Sequence, residues 1–114
     1  MKYTIAAVIA LSVFSTSVYA SGSDRAMDNS ITIAKQFCNK KKECINVLAA
    51  ELDASYQEGL ILSKSDKAWN SLISSKARKL VGYCDRAPER ELCEAYRGKL
   101  MERFIIGLAG NDHS

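Results

Sequence analysis

The chain has 114 residues, 16 basic against 13 acidic, with a formal net charge of +3, four cysteines, one histidine and one proline. That length allows one small core and little more. The charge is too balanced to point to nucleic acid or to a strongly anionic surface, and the scarcity of proline with long periodic apolar stretches favours helix over sheet.

Residues 1–20 read as a secretory signal. Lys2 supplies the positive start, Ile5 to Phe14 is an uncharged apolar run, and Val18-Tyr19-Ala20 places small residues where a signal peptidase cuts. Cleavage after Ala20 would release residues 21–114 as a single helical domain. An uncleaved signal would instead tether the domain to the outer face of an inner membrane. The run is short and interrupted by Ser and Thr, which suits a signal better than a span. The expected location is therefore periplasmic or secreted, after export of the Gram-negative type. An even cysteine count in a short exported chain then argues for disulfides.

Four helices are expected, over about 24–38, 43–60, 65–84 and 88–108. In the first, Met27, Ile31, Ala34, Phe37 and Cys38 recur at spacings of three and four. In the second, Ile45, Leu48, Ala49, Leu52, Tyr56 and Gly59 or Leu60 form one stripe, while Asn46, Glu51, Asp53 and Gln57 fall outside it. Ser65 or Asp66 suits the N-cap of the third, because a short side-chain oxygen accepts from the free amides of a first turn. Its stripe is the clearest: Trp69, Leu72, Ile73, Ala77, Leu80, Val81 and Cys84. Lys67, Lys76, Arg78 and Lys79 lie off it or at its edge, consistent with solvent exposure. Pro88 suits the first position of the fourth helix, where its missing N–H costs nothing. Leu92, Cys93, Tyr96, Leu100, Phe104, Ile105 and Leu108 point inward there, and Gly107 and Gly110 end the helix.

The two halves resemble one another. An aromatic residue and a cysteine, a polar turn, a second cysteine and a helix ending in Gly-Leu describe Phe37 to Leu60 and again Tyr83 to Leu108. Duplication and convergence on a stapled hairpin both produce this pattern. A short turn brings the end of one helix near the start of the next, and a disulfide needs α-carbons within about 7 Å. Cys38–Cys44 and Cys84–Cys93 are the expected bridges. Corners at the same end of the bundle would also permit cross-pairing. The fold class is all-α: a small four-helix domain of two disulfide-stapled helical hairpins.

Catalytic chemistry is hard to assemble. His113, the single histidine, lies one residue from the end, where nothing fixes it beside a nucleophile. The cysteine spacings match neither zinc motifs nor Cys-x-x-Cys redox motifs, and no phosphate or calcium loop is present. No catalytic, metal or cofactor-binding residue is assigned, and the protein is expected not to be an enzyme. Lys40-Lys41-Lys42 is the single run of charge, readable as a solvated turn or as a contact patch for an acidic partner or anionic lipid. Ile61, Met101 and Ile106 lie off the stripes and offer an apolar strip, as a partner surface or a homodimer seam.

The stretch Cys38 to Ile45, Cys-x5-Cys-Ile leading into a helix, resembles a short piece of the periplasmic part of T-even phage antiholins. It spans eight residues, and the second cysteine pair is absent from that pattern. The expected function is that of a small periplasmic binding or inhibitor protein, of the immunity or lysis-regulating type, acting by contact with an envelope protein. The alternative is an accessory or chaperone-like component of an envelope secretion or conjugation assembly. No nucleic acid is expected as partner, and no stable membrane span if the signal is cleaved.

Overall fold

The computed structural model describes residues 25–110. The signal segment 1–20 and His113 lie outside them, so their expected roles are neither supported nor opposed. Four helices and no strand make up the described residues: α1 over 25–38, α2 over Lys42–Leu62, α3 over Trp69–Lys79 and α4 over Arg90–Ala109. Both expected bridges are present, Cys38–Cys44 and Cys84–Cys93, with α-carbons 5.5 and 5.7 Å apart.

The axis of the fold is the packing of α2 on α4. The Tyr96 hydroxyl donates to the Leu48 carbonyl across 48 positions of sequence. At the other end of the same helices Gly59 lies against Gly107, again 48 positions apart. Equal offsets at both ends mean that α2 and α4 run parallel and in register. Leu52 thus corresponds to Leu100, Tyr56 to Phe104 and Leu60 to Leu108. Leu52 and Leu100, Ser55 and Arg103, Tyr56 and Phe104, and Gly59 and Gly107 are buried in both helices.

At the glycines the backbones touch. A Cβ built on Gly59 would fall onto the Phe104 carbonyl, and one on Gly107 onto the Tyr56 carbonyl. Phe104 stands three residues before Gly107, and Tyr56 three before Gly59, so the contact is reciprocal, as a two-fold relation requires. The glycines also allow a close crossing that no other residue permits. Neither ends its helix: α2 runs three residues past Gly59, and α4 closes on Gly110, in the left-handed conformation at φ 67°.

α1 covers one side of this pair. Ala26, Ser30, Ala34 and Cys38 recur every four residues and are buried. Their small side chains bring the helix close to α2 and α4, where Ala34 joins Ala49, Leu52, Tyr96 and Leu100 in the main core. α1 stops at Cys38 because Asn39 adopts a left-handed φ of 57°, which asparagine tolerates better than most residues.

α3 departs most from expectation. It spans 69–79 rather than 65–84. Ser65 does not cap it: its hydroxyl donates to the Leu62 carbonyl at 2.8 Å and so closes the end of α2. Beyond Lys79 the chain proceeds in single turns, with Tyr83 N–H to Leu80, Asp85 N–H to Gly82 and Ala87 N–H to Cys84. Those turns swing Cys84 toward Cys93. Pro88 lies in the bend before α4 rather than at its first turn. The first bond of α4 runs from the Cys93 N–H to the Glu89 carbonyl at 3.0 Å, and proline disfavours helical geometry in the residue before it. Only Leu72 of α3 is buried, packed on Phe104 and Leu108. Trp69 and Val81, expected inward, are 49% and 69% exposed, and Ala77 is exposed as well.

Candidate functional site: the end that carries both corners

Parallel packing of α2 and α4 puts both stapled corners at one end of the bundle. Phe37 of α1 and Leu48 of α2 line a single open groove with Tyr83, Pro88 and Leu92 of the second corner and Tyr96 of α4. The groove measures about 290 Å³. Shared location makes cross-pairing of the cysteines conceivable, yet each bridge is local.

Lys40, Lys41 and Lys42 lie in the first corner and are all exposed. The Cys38–Cys44 bridge closes the loop that holds them. The Lys41 N–H donates to the Cys38 carbonyl at 3.2 Å, so the loop is a defined turn. The second corner exposes Val81, Tyr83 and Leu92, two of which the sequence placed in the core. Leu92, in the first turn of α4, is 44% exposed.

Beneath the groove sits a hydrogen-bonded node that sequence periodicity missed. Glu51, expected outside the α2 stripe, accepts from the Tyr96 hydroxyl at 2.7 Å, sharing that one proton with the Leu48 carbonyl, and from the Tyr83 hydroxyl at 2.9 Å on the same carboxylate oxygen. Burial, reinforced by the bond and charge of Glu51, pushes the Tyr83 phenol up to about 12. The same causes raise that of Tyr96 further. Both phenols are therefore neutral donors at any physiological pH. Phe37 meets the Tyr96 ring edge-on at 5.4 Å. Arg97 fastens the turn after α3, donating to the Leu80 and Val81 carbonyls at 3.4 and 3.2 Å. The node and Arg97 hold the second corner against α2 and α4.

Cations elsewhere serve packing. Lys76, expected on the solvent side, donates to Glu58 at 2.6 Å with its side chain only 13% exposed, and its ammonium lies 5.6 Å from the Phe104 ring centre. Partial burial alone would raise the Glu58 carboxyl, but the bonds and charges of Lys76 and Lys79 outweigh it and hold the group below its ordinary value. Arg103, buried in α4, lies over the Tyr56 ring at 5.1 Å. Tyr56 and Phe104, which correspond in the two halves, thus each carry a cation.

Among the described residues no His, Cys, Asp and Glu side chains are grouped to hold a metal ion, and no helix is long and apolar enough to cross a membrane. What the end offers is a surface: an apolar groove, a lysine loop on one side and, on the other, a corner with four acids against two arginines.

No curated protein and no solved structure matches the chain. A family model does match, over residues 1–110, described as the valyl--tRNA ligase modifier family. With all but the last four residues covered, the chain belongs to that family.

Proposed function

We propose that the chain is a small exported protein that acts by binding another protein of the cell envelope and restraining it, in the manner of an immunity or lysis-regulating factor. The observation that carries this reading is the corner end. Two disulfides fix an apolar groove and a lysine loop side by side, with Val81, Tyr83 and Leu92 left in solvent. Exposed apolar groups rimmed by charge are what partner surfaces present. The bridges support the oxidising compartment to which the signal-like segment 1–20 would deliver the domain. An accessory role in a secretion or conjugation assembly uses the same surface, and differs in predicting a lasting complex.

The family description favours a second reading, in which the chain contacts a valyl-tRNA ligase. The two disulfides argue against it, because tRNA charging is cytoplasmic chemistry and cytoplasmic thiols stay reduced.

The test is fractionation of cells carrying the tagged full chain, with thiols blocked at lysis, followed by capture of bound protein. Oxidised protein outside the cytoplasm, retaining an envelope protein that the Lys40→Glu/Lys41→Glu/Lys42→Glu variant releases, supports the first reading. Reduced protein in the cytoplasm bound to a tRNA ligase overturns it in favour of the second.

A further inference from the structure

The charges of the corner end are sorted. Between residues 35 and 43 four lysines stand against one acid, and between 85 and 94 four acids stand against two arginines. All of them are exposed. The groove, walled by Phe37 from the first corner and by Glu89 and Leu92 from the second, runs between the two groups. Among the described residues no ion pair joins the corners; Glu94 is paired with Arg90 of its own helix at 3.4 Å. One end of the molecule thus presents a basic lobe, an apolar trough and an acidic lobe in succession.

Such a face is complementary to itself. A two-fold axis lying in the face, across the line from basic to acidic lobe, sets each lobe against the opposite lobe of a second copy and closes groove on groove. A two-fold interface requires this self-complementarity. From it we infer that the resting occupant of the corner end is a second copy of this chain, with Lys40, Lys41 and Lys42 of one protomer opposite Glu89 and Glu91 of the other. The charges set register and encounter rate, while the apolar groove supplies the contact that outlasts them. The facing charges are exposed, so the dimer is salt-sensitive. A protein partner using the same end would compete with it. The inference rests on the surface and is independent of export or inhibition.

Sedimentation equilibrium of the oxidised full chain tests it. The wild type is expected to pass from monomer to dimer mass as concentration rises, and to shift back toward monomer as salt is added. Lys40→Glu/Lys41→Glu/Lys42→Glu and, separately, Glu89→Lys/Glu91→Lys should each lose at least about tenfold in self-association, since like charges then face each other. Mixing the two variants should restore a dimer. All five positions are exposed, so both variants should keep wild-type helicity and both bridges. A wild type that stays monomeric at low salt overturns the inference, as do variants that dimerise as well as wild type or that stay monomeric when mixed.

Discussion

The two hairpins share a plan and differ in how firmly their outer helices are held. α1 lays a row of small residues, Ala26, Ser30, Ala34 and Cys38, into the α2–α4 pair, and all four are buried. α3 is shorter, buries Leu72 alone, and is tied down at its edges by Lys76 to Glu58 and by Arg97 to the turn that follows it. A helix seated by small residues gives up its surface to the core. A helix held at its margins keeps apolar groups available to something else, here Trp69 and, in the turn after it, Val81. The first hairpin is therefore the scaffold, and the second carries most of the exposed apolar surface.

The largest effect should come where the halves meet. Gly59→Ala or Gly107→Ala places a methyl group on backbone and should cost at least about 3 kcal/mol, read from denaturant midpoints. Gly98→Ala is the control: nothing lies within 4 Å of its added carbon, and helix propensity alone should stabilise by about 0.5–1 kcal/mol. Equal losses at all three would remove the close crossing from the account.

Removing a bridge comes next, at roughly 2–3 kcal/mol each in the chain-entropy model. The two should differ in kind. With Cys84→Ser/Cys93→Ser, faster amide exchange should concentrate in residues 69–89, where little else holds the chain. With Cys38→Ser/Cys44→Ser it should stay near the corner, because the small-residue row still seats α1. Uniform loosening in both variants would erase the contrast between hairpins. Within α3, Leu72→Ala should cost about 2–3 kcal/mol as a buried leucine. Trp69→Ala, half in solvent, should cost under about 1 kcal/mol.

The smallest effect is a pH dependence. Tyr83 is held neutral in the folded state and ionises near 10 when unfolded. Its contribution is complete below pH 10 and is lost as pH rises from there through about 12, since the unfolded chain then releases a proton that the folded one keeps. Tyr83→Phe should flatten the alkaline arm of the stability curve across that window. Glu58 acts in the opposite direction: its contribution is present above its unfolded value of 4.5 and fades as pH falls below it.

Much of the site was half-legible. Lys40, Lys41 and Lys42 stood out as a charge run, and they are exposed. The Tyr83–Glu51–Tyr96 node did not, because its members lie 32 and 45 positions apart and Glu51 falls off the apolar stripe. The internal likeness of the halves was the signal that could have found it. Aligning Gly59 with Gly107 sets Tyr96 opposite Leu48, one turn of helix from Glu51.

The sequence by itself determined what is local: four helices from apolar spacing, and two bridges from cysteines close enough to meet across a turn. These depend on neighbours a few positions away, and a single chain displays them. Only the tertiary structure decided that α2 and α4 run parallel in register, that two glycines touch at their crossing, and that α3 ends early with Trp69 in solvent. An apolar stripe states that a helix has a buried face. It does not state which helix covers that face or how completely, because that depends on the shapes of surfaces brought together from distant parts of the chain.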